Sequence, residues 1–327
     1  MGTDGKNVYP VALKERNMKH KSSLEQYSEM IETDKPDKQK LPDHTGLDGI
    51  DAHQHFWRYN VKKHDWITED MSVIRKDFLP SDLQPLLQQN GMEGCIAVQA
   101  DQTEKETNFL RQLAEENDFI KGIVGWVDLR SGHVKERLQH YKQFPKIKGF
   151  RHVLQGELPE FMLQPAFLEG IKALSEFNFS YDLLIFPQHL DAALELVQLF
   201  PNQPFVIDHI AKPLIKKGLI EDWRRGVKAI AKCPNVFCKI SGMVTEADFK
   251  QWKKEYFTPY LDVITEAFGI DRVMFGSDWP VCQLAASYGQ MLTIVKEYFS
   301  SYSLDEQKLF FGGNAKKFYR IGHEAEK

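Results

Sequence analysis

Leu47–His55 reads Leu-Asp-Gly-Ile-Asp-Ala-His-Gln-His, an apolar run that gives way at its end to two imidazoles. A run this short, dense in apolar side chains rather than strictly alternating, is the mark of a strand covered on both faces. Seven more follow it: Gly94–Ala100, Ile120–Leu129, Ile147–Leu154, Ser180–Phe186, Pro204–Ala211, Val236–Ser241 and Arg272–Ser277. Each is rich in Val, Ile, Leu or Phe, and amphipathic stretches with helical spacing separate them.

Those stretches are Leu79–Gln89, Glu104–Asn117, Val134–Phe144, Phe167–Phe177, Leu190–Phe200, Ile220–Lys232, Phe257–Phe268 and Ala286–Phe299. Start signals stand at Pro80-Ser81-Asp82, at Thr103 with Glu104 and Glu106, and at Thr245-Glu246, where capping oxygens and acidic first turns satisfy exposed N–H groups. Pro187, Pro201, Pro234 and Pro280 mark element boundaries, where a missing N–H does least harm. A last helix, Leu304–Tyr319, is expected to break at Gly312-Gly313. Eight such alternations close either as a barrel or as a doubly wound open sheet. The count, the regular spacing and the lack of a Gly-rich loop after the first strand favour the barrel. The expectation is a single (β/α)8 TIM barrel of the α/β class over residues 46–322, with a polar, Lys-rich extension or linker over 1–45. Within that extension a short helix fits Ser23–Glu32.

The formal net charge of −4 is too small to argue for nucleic acid or an anionic membrane as partner. No apolar stretch approaches the roughly 18–20 residues of a membrane span, and the polar N-terminus does not resemble a secretion signal. Cytoplasm is the default location, and a homo-oligomer stays open. Cys95 and Cys238 lie in strand-like runs, and Cys95, Cys233, Cys238 and Cys282 show no C-x-x-C spacing. Buried thiols are expected rather than a disulfide framework or a structural zinc site.

In a barrel of this kind, chemistry gathers at the C-terminal ends of the strands. The first run ends Asp51-Ala52-His53-Gln54-His55, the sixth Asp208-His209-Ile210-Ala211-Lys212-Pro213, and the eighth Phe275-Gly276-Ser277-Asp278-Trp279-Pro280. Residues two apart on a strand share a face, so His53 and His55 are expected to enter the mouth together, where His209 and Asp278 would meet them. A lone H-x-H is weak and is often core packing. Three strands ending in polar groups at one mouth are not required by packing. Such a set could hold a divalent cation or orient and deprotonate a water.

These endings, with Gly149-Phe150-Arg151-His152-Val153-Leu154-Gln155 and Tyr181-Asp182-Leu183-Leu184-Ile185, resemble the amidohydrolase superfamily in its amidohydrolase 2 branch. Within it the chain is similar to the sugar-lactonase group of L-fuconolactonase and L-rhamnonolactonase-like enzymes. The resemblance covers about Gly49 to Arg320 and implies a barrel of the metal-dependent hydrolase type. It implies hydrolysis of a sugar-derived lactone to its aldonic acid, an ester-bond hydrolase activity in carbohydrate metabolism. Asp278 would be the general base on water, with His53, His55 and His209 in the catalytic set. Superfamily members rich in metal carry a bridging Lys or Glu on the fourth strand and a His on the fifth. Here the fourth offers Arg151-His152 and the fifth ends Leu184-Ile185-Phe186, so a two-metal site is not expected. One divalent ion, zinc first, on His53, His55, His209 and Asp278, or no metal at all, both stay open. The alternatives are a zinc-dependent decarboxylase of the same branch, or a non-catalytic binding barrel. Against the last stands the convergence of ionisable groups on one mouth, which a scaffold does not need.

For the substrate, Arg151 and His152 could bind a carbonyl or hydroxyl, or simply pair with neighbouring carboxylates. Lys212 could stabilise a developing oxyanion, or be a surface lysine. His189 could face the pocket or cap a helix start in solvent. Trp57, Trp126 and Trp279 suit stacking on a sugar ring, though aromatic packing at a barrel rim is common without ligands. Gln99, Lys239 and Ser241 are weaker candidates, and His133, His140 and His323 read as surface residues.

Overall fold

Apolar runs at regular spacing become eight parallel strands, paired side by side in chain order, in the computed structural model, which describes residues 48–322. They are β1 (Gly49–Gln54), β2 (Met92–Val98), β3 (Ile120–Gly125), β4 (Ile147–Val153), β5 (Ser180–Leu184), β6 (Phe205–Ile207), β7 (Val236–Ile240) and β8 (Val273–Phe275). After each comes a helix: α1 (Pro80–Gln89), α2 (Glu104–Glu116), α3 (Val134–Tyr141), α4 (Pro165–Glu176), α5 (Leu190–Leu199), α6 (Glu221–Ile230), α7 (Thr258–Phe268) and α8 (Tyr288–Tyr298). The seam between β8 and β1 closes at the mouth. Asp278 N–H donates to the His53 carbonyl (2.8 Å), and His55 N–H to that of Trp279 (2.7 Å). The fold is a (β/α)8 TIM barrel. The extension over 1–45, its helix at Ser23–Glu32, and His323 lie outside the described residues.

Several strands are shorter than their apolar runs. Val127, Leu129, Ile210 and Ala211 are buried all the same, because the loops leaving β3 and β6 fold over the core and use the same side chains. Thr245-Glu246 starts only a single 3-10 turn, Val244–Glu246, and the long helix waits until Thr258. Thr103 and Ser287 do cap α2 and α8, accepting from the N–H of Glu106 and Gln290. All four cysteines carry free thiols, with Cys233 partly exposed.

The last helical stretch does not break at the glycines. Leu304–Lys308 (α9) passes through a π-turn, Leu309–Gly313, into Asn314–Phe318 (α10). Gly312 lies where this path presses on the start of β1, and a Cβ there would stand 2.6 Å from the Asp48 carbonyl oxygen. Phe318 and Tyr319, brought in by α10, fill the barrel floor against Ile50, Ile96, Val124, Val206 and Met274.

Between Asp51 and Gln54, β1 advances three residues while β2 advances two, from Cys95 to Ala97. This bulge inverts the alternation, as such insertions do beside active sites. Ile50 and Ala52 face the interior below it, and His53 and His55 face the interior above it. Asp51, which strict alternation would place with the imidazoles, instead lies behind the sheet. There its Oδ1 accepts from the N–H groups of His53 (3.1 Å) and Ser277 (2.9 Å), and burial pushes its pKa up to about 6.

Candidate active site

Four of the side chains singled out by sequence meet at one point. Asp278 Oδ1 lies 3.4 Å from His55 Nε2, 3.8 Å from His209 Nε2 and 4.0 Å from His53 Nε2. All four residues are buried. Each is brought there by a backbone device. The bulge aims His53 and His55. His209 leaves β6 through four successive left-handed residues, His209 to Lys212, with φ from +47° to +59°. That conformation is costly, above all for the β-branched Ile210. It is held by the indole N–H of Trp223 on the Ile210 carbonyl (2.7 Å) and by Lys212 N–H on that of His209 (2.8 Å). Asp278 is left-handed too, at φ +58°.

His55 Nδ1 faces the carbonyl oxygen of Val98 at 2.8 Å. That oxygen can only accept, so Nδ1 carries a proton, while Nε2 lies 3.2 Å from His53 Nε2. His209 Nδ1 lies 2.9 Å from Ser241 Oγ. Burial drives the pKa of His53 and of His209 well below 6.5, against the pull of Asp208 and Asp278 respectively, so both rings are neutral at neutral pH. Burial also acts to raise Asp278, but His209, His55 and Lys212 outweigh it and hold the carboxyl below its ordinary 3.8. An ionised carboxylate thus faces the neutral rings of His53 and His209. Ligand atoms of His53, His209 and Asp278 lie within 4.8 Å of one another, and His55 Nε2 stands beside them. Crowded nitrogen lone pairs with one carboxylate are a donor set that fits a single divalent cation.

Arg151 joins the site. Its Nη1 lies 3.3 Å from His53 Nε2 and donates to Asp208 Oδ2 (2.9 Å), and its Nη2 donates to the Gln99 carbonyl (2.6 Å). Lys212 is paired with Glu246 Oε1 at 2.7 Å, close enough for its charge to act on Asp278. The other expected substrate contacts are placed elsewhere. His152 turns away from Arg151, stacks on Phe161 (5.0 Å) and reaches Glu157 Oε1 at 3.4 Å. In His189, Nδ1 accepts from Phe186 N–H and Nε2 donates to the Glu157 carbonyl. Both its ring nitrogens are used to tie loops together, so neither is left for a substrate. Trp57 and Trp279 are core residues. Trp57 packs edge-on against Trp66 and Phe78 and donates to the Lys76 carbonyl, and Trp279 packs against Phe56 and Phe78. Aromatic burial, not a sugar face, accounts for both. Trp126 is partly buried, His133 is exposed, and His140 packs on Tyr141 and Phe144.

Sequence reasoning missed the layer beneath the imidazoles: Asp182, Asp208 and Tyr319, with Lys239 ranked too low. Lys239 Nζ donates to Asp182 Oδ2 (2.5 Å) and lies 3.0 Å from Asp208 Oδ1, all three without exposed surface. Lys239 and Arg151 near Asp208 overcome burial and hold its carboxyl well below the usual range, whereas burial pushes Asp182 up to about 6. The signal was present as opposite charges inside otherwise apolar strand runs, since a charge taken out of water must be paired.

The comparisons with known proteins agree with this fold. The family model described as amidohydrolase matches residues 50–321. An L-fucono-1,5-lactonase of Burkholderia multivorans is 36% identical over 289 residues, 85% of this chain and 97% of that protein. An L-rhamnono-gamma-lactonase of Scheffersomyces stipitis is 27% identical over 250 residues, 66% of this chain and 71% of that one. A crystal structure of a Burkholderia multivorans amidohydrolase with bound zinc superposes with a TM-score of 0.81 at 36% identity, covering 84% of this chain and 99% of that one. With the barrel, its mouth residues and a match along nearly the whole described chain, the protein belongs to the amidohydrolase family.

Proposed function

We propose that this protein hydrolyses a sugar-derived lactone of the L-fuconolactone or L-rhamnonolactone type to its aldonic acid, with zinc as the ion of the site. The observation that carries the reading is the buried, ionised Asp278 carboxylate on which His53, His55 and His209 converge. Asp278 takes a proton from water as the water oxygen attacks the lactone carbonyl carbon. Arg151 and Lys212 supply positive charge beside the site as the carbonyl oxygen becomes negative. When the tetrahedral carbon collapses, its bond to the ring oxygen breaks. Asp278 returns the proton to that oxygen, leaving a hydroxyl and a carboxylic acid, which releases its own proton to solvent as it becomes the carboxylate. A cation held by His53, His209 and Asp278, with His55 beside them, would act as a Lewis acid on the carbonyl and acidify the water.

Acid release from a panel of aldonolactones, followed with a pH indicator, tests the reading. Asp278→Asn keeps the side-chain shape and suits the left-handed backbone. It should fold normally and lose about 10²–10⁴ of kcat. Wild-type rates in this variant would remove Asp278 from the mechanism. Absence of acid release from every sugar lactone would turn the assignment toward the decarboxylase chemistry weighed above.

A further inference from the structure

Below the three imidazoles, four charged groups from four strands meet inside the barrel. Lys239 Nζ (β7) donates to Asp182 Oδ2 on β5 (2.5 Å) and forms an ion pair with Asp208 Oδ1 at the end of β6 (3.0 Å). It also lies 3.2 Å from His53 Nδ1. Asp208 Oδ1 stands at the same 3.2 Å from that nitrogen, and Asp208 Oδ2 accepts from Arg151 of β4 (2.9 Å). The hydroxyl of Tyr319 donates to Asp182 Oδ2 (2.8 Å), closing the network from the barrel floor.

His53 Nδ1 therefore faces one group that can only accept and one that can only donate, at equal distance. The imidazole has one ring proton and two places for it. With the proton on Nδ1, donated to Asp208, the Nε2 lone pair faces Asp278 and His209 and can also accept from Arg151 Nη1 at 3.3 Å. With Lys239 donating to Nδ1, the ring proton moves to Nε2, which lies 3.2 Å from His55 Nε2 and 4.0 Å from Asp278 Oδ1. The first arrangement presents a ligand to a cation. The second puts the proton on Nε2, where His53 cannot ligate.

We propose that Asp208 and Lys239 are opposed positioning residues that decide which nitrogen of His53 carries its proton, Asp208 favouring the state that binds a divalent cation and Lys239 the cation-free state. The inference rests on the cation site proposed above and not on the lactone substrate. A carboxylate behind a ligating imidazole strengthens it as a ligand, and loss of such a partner costs about 10–100-fold in metal affinity. An ammonium in the same place acts the other way, by donating to the nitrogen and by its charge.

Zinc affinity, measured by competition with a chromogenic chelator, and histidine ring 15N spectra of the cation-free samples test this on wild type, Asp208→Asn and Lys239→Gln. Asp208→Asn should bind zinc about 10–100-fold more weakly, and Lys239→Gln should bind it more tightly than wild type. In the spectra, the His53 proton should shift toward Nε2 in the first variant and toward Nδ1 in the second. A merely structural role would weaken binding in both variants and leave the proton position alone. Folded variants that move affinity in the same direction, or that bind zinc with unchanged His53 spectra, overturn the inference by itself. No zinc binding by any of the three proteins overturns the cation site and the inference with it. Should Lys239→Gln not fold, Lys239→Met with Asp182→Asn removes one charge of each sign and carries the same expectation.

Discussion

Gly242, one residue beyond the Ser241 that contacts His209, has φ +59°, and a Cβ there would stand 2.5 Å from His209 Nδ1, 2.8 Å from its Cγ and 3.2 Å from Asp278 Oδ2. Gly242→Ala would therefore act on the site through two separable effects. The left-handed backbone costs an L side chain about 1–2 kcal/mol. Carbon contacts settle at about 3.5 Å or more, so the His209 ring must retreat by roughly 1 Å. It then loses the 2.9 Å contact with Ser241 Oγ, worth about 1 kcal/mol net. The sum, about 2–3 kcal/mol, is within what a domain with about 5–15 kcal/mol of stability tolerates, and the variant should fold. Catalysis is less forgiving. A displacement of about 1 Å in a positioned group costs on the order of 10² in rate. Urea unfolding reads the first quantity, and acid release from the preferred lactone reads the second. A folded variant with kcat within about threefold of wild type would show that His209 can move without consequence, and the geometric account of the site would fail.

Trp57→Phe should lower stability by about 1–3 kcal/mol, through lost volume and the lost indole bond to the Lys76 carbonyl, and leave KM for the lactone within about twofold. A large rise in KM would return Trp57 to the sugar. His64 titrates at about 4 rather than 6.5 because of burial and then Lys63. Its Nδ1 accepts from Asn60 N–H and its Nε2 is buried without a partner. Between pH 6.5 and 4 the unfolded chain holds more protons on this residue than the folded one. Its contribution is complete above pH 6.5 and lost as pH falls toward 4, on the order of 2 kcal/mol after allowing for solvent screening. The difference in urea midpoint between wild type and His64→Gln should narrow across that window, and a constant difference would refute the assignment.

What the amino-acid order made legible was periodic. The eight strands were visible because parallel strands covered on both faces leave dense apolar runs, and the polar endings of the first, sixth and eighth stood out against them. Local geometry was not visible. Nothing in Asp51-Ala52-His53 announces a bulge, since the extra residue is defined only by its pairing with Cys95–Ala97 of β2. The left-handed path of His209 to Lys212 uses residues with no preference for it, Ile210 least of all, and is imposed by the Trp223 and Lys212 hydrogen bonds. Trp57 and Trp279 were read as rim aromatics because they follow mouth residues, and only the packing of Phe56, Phe78 and Trp66 reveals that the loops fold inward over them.

The charged layer shows how far such a reading can go. Asp182 and Lys239 sit in the middle of strand-like apolar runs, and desolvation alone argues that they must find opposite charges. Sequence cannot say which ones, because the partners come from strands 26 to 57 residues away and are chosen by barrel register. Once register is known, the alternation of β5, β6 and β7 puts Asp182, Asp208 and Lys239 on the inner face, above the apolar floor of Val206 and Met274. A barrel that needed only stability would continue apolar at that level, since well-packed hydrophobic side chains commonly do as well as a buried ion pair. The layer's one evident product is contact with the ring of His53 and the guanidinium of Arg151. The charges are thus best understood as the foundation of the site, and their cost in desolvation as what a fixed imidazole requires.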